Sequence, residues 1–98
     1  MFVGALTLDI LLGDVRSLKQ KRAAIRPIIA EIQRKLTVSV AETGGHDLYR
    51  RTEIGVAVVA STAAYCSKVM DSCERLVADR PEIELLSARQ RLFSPEED

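Results

Sequence analysis

The residues of this chain best equipped for chemistry are cations, and their spacing suits the capture of an anion. The run SLKQKR, from Ser17 to Arg22, opens a predicted helix and places Lys19, Lys21 and Arg22 in its first turns. A helix N-terminus carries partial positive charge and ordinarily collects Asp and Glu. Cations there are repelled unless an anion sits among them, and the unbonded N–H groups of the first turn are themselves suited to hold one. At ~100° per residue, Lys19, Arg22, Arg26 and Arg34 fall along one side of this helix, beside its apolar stripe. Lys21 falls toward the apolar side, where a long stem lets the ammonium snorkel past the sheet edge. Arg50 and Arg51 either extend the patch or pair with Glu42 and Glu53. Between Asp14 and Lys35 seven cations meet two carboxylates, although the whole chain balances 14 basic against 14 acidic residues. The chemistry implied is phosphate binding, and the competing reading is a solvated face that keeps the protein soluble.

Other chemistries have little to stand on. His46 is the one histidine, in the turn-like stretch GGHDLYRR, with no cysteine or second histidine at metal-ligand spacing. Asp47 beside it does not make a nucleophile, base and orienting group. TGGHD lacks the lysine and the spacing of a nucleotide-binding glycine loop. Cys66 and Cys73 lie seven residues apart on one predicted helix, ~10 Å from each other by the helix rise, which is too far for a disulfide. They read as buried thiols of a cytoplasmic protein. The expectation is a binding protein, with no enzymatic activity, cofactor or metal.

The elements that must position these cations follow from periodicity. FVGALTLDIL alternates, with Leu6, Leu8 and Ile10 on one face and Thr7 and Asp9 on the other, as a half-buried strand does. Gly13 and Asp14 break it. Ser17 is an N-cap and Gln20 completes a capping-box pattern. The helix then runs with Leu18, Ile25, Ile28, Ile29, Ile32 and Leu36 on one stripe, and Pro27 within it predicts a kink. LTVSVAE (36–42) reads as a second strand and TGGHD as a turn. RTEIGVAVVA reads as a third strand, apolar on both faces, whose Gly55 and Ala57 leave room for a helix to lie close. Ser61 or Thr62 caps a second helix that Pro81 terminates, and IELLSARQRLF is the fourth strand.

This order is β-α-β-β-α-β, the split βαβ arrangement. The expected architecture is an α+β, ferredoxin-like sandwich: a four-stranded antiparallel sheet with two helices on one face. One domain spans 1–93, and 94–98 form an acidic C-terminal tail. The opening residues make neither a secretory signal nor a membrane span. Sheets of this topology also serve single-strand RNA readers that stack bases on aromatic residues. The middles of the central strands hold no aromatic residue here, so RNA would be met through phosphate. The bare sheet face, where Leu11, Leu85, Val59 and Ala41 add apolar surface, points to homo-oligomer formation.

SLKQKR, VSVAE (38–42), HDLYRR and IGVAVVA together resemble the YlxP-like family of small bacterial proteins, a domain family of unknown function. The resemblance covers most of the chain and implies a ferredoxin-like fold. Genes of that family often neighbour those of translation initiation factor 2 and ribosome-binding factor A, which implies a role near RNA or the ribosome. The reading is therefore an RNA- or ribosome-associated protein using Ser17, Lys19, Lys21, Arg22, Arg26, Arg50 and Arg51. The alternative is a structural or regulatory module that binds protein or a small anion.

Overall fold

A computed structural model describes residues 1–96, so Glu97 and Asp98 of the acidic tail lie outside the described residues. The chain runs β1 (Phe2–Leu11), α1 (Leu18–Lys35), β2 (Ser39–Gly44), β3 (Arg51–Ala60), α2 (Ala63–Ala78) and β4 (Glu84–Phe93). The strands form one antiparallel sheet in the order β2-β3-β1-β4. The fold is the ferredoxin-like α+β sandwich that the element order implies.

Alternation in the central strands decides which face carries the core. Leu6, Leu8 and Ile10 of β1 and Ile54, Val56 and Val58 of β3 are buried beneath the helices. That settles the ambiguity of β3, whose two faces both look apolar in sequence. α1 contributes Ile25, Ile28 and Ile32, and α2 contributes Cys66, Val69, Met70, Cys73 and Val77. Ile29 packs only at the margin of this core. Both cysteines are buried thiols, and burial pushes Cys73 up to about 11, which makes it a poor nucleophile at neutral pH.

Three local details differ from the sequence reading, and a fourth, Pro27 inside α1, agrees with it. β2 begins at Ser39, because Leu36 still donates its N–H to Ile32 as the cap of α1. Gly55 and Ala57 lie on the face away from the helices. The close approach of a helix is instead at buried Gly4, where a Cβ would stand 2.9 Å from Val58 and 3.0 Å from Met70. α1 accommodates Pro27 within its span of Leu18–Lys35. Ala23, whose carbonyl loses its helical partner, and Pro27 are both exposed, so water can serve that oxygen. Finally, a bulge between Asp9 and Ile10 re-registers β4, so Leu85 pairs with Ile10 on the core side. Leu86 is exposed instead. A bulge inserts a residue and resets alternation beyond it, which strict period-two reading does not anticipate.

Candidate functional site

Ser17 caps α1 as the sequence suggests. Its hydroxyl accepts the N–H of Gln20 at 3.1 Å, and the Gln20 side-chain carbonyl accepts the N–H of Arg16 at 2.7 Å. The reciprocal bond thus reaches one residue beyond the usual capping box. No acidic residue stands in the first turn to offset the helix dipole.

The seven candidate residues do not act as one patch. Lys19, Arg22 and Arg26 are exposed on the outer face of α1, and Arg34 extends the line. Around the helix Lys19, Arg26 and Arg34 lie opposite the buried stripe, and Arg22 flanks it. Among the described residues none of these four has a carboxylate at ion-pair distance, whereas Arg16, Lys21, Lys35, Arg51, Arg80 and Arg89 each have one. Lys19 to Arg34 spans ~22 Å of helix at the standard rise.

Lys21 is withdrawn from that surface. It is 2 % exposed and does not snorkel. Its ammonium donates to the carbonyl of Gly45 and lies 3.1 Å from Glu42 Oε2. The hydroxyl of buried Thr52 donates to the same carboxylate oxygen at 2.7 Å, while His46 Nε2 stands 3.9 Å from Glu42 Oε1. Burial raises the Glu42 carboxyl, but the bonds from Thr52 and Lys21 outweigh it and leave the group below its ordinary 4.5. Gly45 adopts φ 72°, a left-handed turn conformation suited to glycine. Lys21 therefore fastens the β2–β3 turn to the first turn of α1. The helical spacing pointed to this, since residue 21 continues the stripe of Ile25, Ile28 and Ile32 toward the N-terminus.

The two arginines at β3 are also engaged otherwise than with Glu42 and Glu53. Arg51 pairs across the sheet with Asp9 at 2.7 Å, on the face away from the helices. Arg50 Nε donates to the carbonyl of Gly13 at 3.2 Å and helps hold the loop before α1. Glu53 accepts from Thr43 at 2.7 Å and lies 3.9 Å from Arg89. The sequence reading missed these partners because the register between strands was unknown.

The same geometry limits other chemistry. Glu42, the carboxylate nearest His46, is committed to Lys21 and Thr52. Among the described residues no three His, Cys, Asp or Glu side chains gather as a metal site, and no helix is long and apolar enough to cross a membrane. Of the four aromatic residues, Phe2 packs at the margin of the core, Tyr49 and Tyr65 are exposed outside the sheet, and Phe93 lies on edge strand β4.

A family model described as "Protein of unknown function (DUF503)" matches residues 3–90. The uncharacterized protein YlxP of Bacillus subtilis (strain 168) is 32 % identical over 91 residues, which cover 93 % of this chain and 99 % of that protein. The matched range takes in both helices and all four strands up to the middle of β4, so the chain belongs to the DUF503 family of YlxP-like proteins.

Proposed function

We propose that this protein binds RNA, free or in a ribosomal particle, by holding phosphates along the outer face of α1. One observation carries the reading. Lys19, Arg22, Arg26 and Arg34 form an exposed line of cations with no carboxylate partner among the described residues, in a chain with no net charge. Two of them stand at or just beyond an N-terminal turn that repels them, so solubility alone is a poor reason to place them there. Phosphate contacts orient nucleic acid without reading its sequence, and the middles of β1 and β3 offer no aromatic residue for base stacking. The protein works by binding rather than catalysis, in the cytoplasm, where its buried thiols stay reduced.

Salt decides between this and a module that binds protein. Four phosphate contacts to a single strand give a slope of about −2.8 in log affinity against log salt, at ~0.7 per contact. Changing Lys19 and Arg22 to Gln should flatten that slope by ~1.4 and weaken binding of a labelled single-stranded RNA at low salt. The free variant should melt at the same temperature or slightly higher, with relief of up to ~0.3–1 kcal/mol where the dipole acts. A salt-titrated anisotropy series and a thermal melt measure both. Lower stability with unchanged RNA affinity would sink the proposal and make these cations structural.

A further inference from the structure

The sheet face away from the helices is uncovered and uneven. Over β1, β2 and β3 it is a shallow trough of about 420 Å³ floored by Ala5, Thr7, Ser39, Ala41, Gly55 and Ala57. Along β4 it rises into a ridge of long side chains, Arg89, Arg91 and Phe93, with the Arg91 guanidinium 5.2 Å from the centre of the Phe93 ring. Trough and ridge run side by side, parallel to the strands. We propose that this face is the docking surface for a second copy of the chain, related by a two-fold axis parallel to the strands.

Such an axis exchanges the β2 side of one copy with the β4 side of the other. Each ridge then enters the other trough, and both halves of the relief are matched at once, as an isologous contact requires. Rows along the strands are preserved. Val3 and Val59, which are cross-strand partners, each face the other's equivalent on the second copy, and Ala57 faces Ala5 near the centre in the same way. An axis across the strands would instead lay the Asp9–Arg51 end over Val3 and Val59, stranding charge on apolar surface.

The charged end of the face is compatible with burial. Asp9 is held by Arg51 at 2.7 Å, and Glu53 by Thr43 at 2.7 Å. Arg89 is 3.9 Å from Glu53 of its own chain, at the limit of an ion pair. Docking brings its guanidinium over the other β2 and within reach of Glu53 of the second copy. The area also suffices. Three strands of ten residues and β2 of six, at ~4.8 Å spacing and ~3.3 Å per residue, make a face of roughly 570 Å². Two copies bury about 1,100 Å², just below the size of a standard specific interface, so the association is reversible and weak. The line of cations on α1 stays on the outer side of both copies. The dimer does not depend on RNA binding; if the preceding reading holds, it presents two phosphate-binding helices to one partner.

Sedimentation equilibrium of the RNA-free protein up to about 1 mM tests this. Twice the chain mass is expected at the upper end. Ala57→Arg, at the centre of the face, and Val59→Glu, at a side chain already 65 % exposed, should each weaken association by about tenfold or more. Both variants should melt as the native chain does in dilute solution. Arg26→Glu, on the outer face of α1, should leave the dimer unchanged. A monomer throughout the range, or a dimer indifferent to both sheet substitutions, would overturn the proposal. Because no RNA is present, failure here is separable from failure of the RNA reading.

Discussion

Lys21 shows how one side chain can look like part of a binding surface and serve a different purpose. Its ammonium is buried, and its partner Glu42 is 22 % exposed on the side chain. Removing one member of a fully buried pair costs ~3–5 kcal/mol; water reaching Glu42 reduces that. Lys21→Met should therefore destabilise the protein by about 2–3 kcal/mol in urea unfolding, and Glu42→Leu in addition should recover much of the loss. This double change separates a structural lysine from an anion ligand. If Lys21 met phosphate, the second substitution would restore stability without restoring RNA affinity.

At the scale of elements, two positions test how α1 and α2 are built. Pro27 leaves one helical bond unmade in the middle of α1, on a solvated side. Pro27→Ala restores that bond and the better helix former, against the loss of a stiffer unfolded chain worth ~0.4–1 kcal/mol. The expected gain is about 2 kcal/mol, a rise of roughly 8–16 °C in melting temperature for a domain of this size. Gly4 sets how closely α2 lies on β1. Gly4→Ala forces a methyl group against Val58 and the end of Met70, and should cost ~1–3 kcal/mol by overpacking. A melt unchanged from the native chain would show that α2 can shift without cost.

For the whole molecule, α1 is held at both ends by carboxylates. Lys21 and Glu42 fix its start. Near its end, Glu31 meets Arg80 at 2.6 Å and Lys35 at 3.2 Å. The bonds from Arg80 and then Lys35 keep Glu31 below its ordinary 4.5. A carboxyl depressed in the folded state stabilises fully above its unfolded value and loses that contribution as pH falls through the folded value. Stability should thus be level from neutral pH down to about 5 and fall below 4.5, as both anchors protonate. Melts between pH 7 and 2.5 measure this, and Lys21→Met with Glu42→Leu should reduce the acid sensitivity. An equally steep fall in that variant would place the titrating groups elsewhere.

The order of elements, the split βαβ topology and the helix caps were determined by local sequence, because hydrophobic period and capping chemistry act over a few residues. The outward direction of Lys19, Arg22, Arg26 and Arg34 was legible for the same reason, as they share one arc of a helix. Pairing across the sheet was not. That Glu42 belongs to Lys21, Arg51 to Asp9 and Glu53 to Thr43 and Arg89 depends on register, and the bulge that turned Leu85 inward changes register by one residue. The core-facing side of β3 was likewise decided only in three dimensions, since both its faces are apolar and only packing against the helices distinguishes them. Local periodicity carries information along the chain, whereas partnership between distant charges exists only once strands have docked.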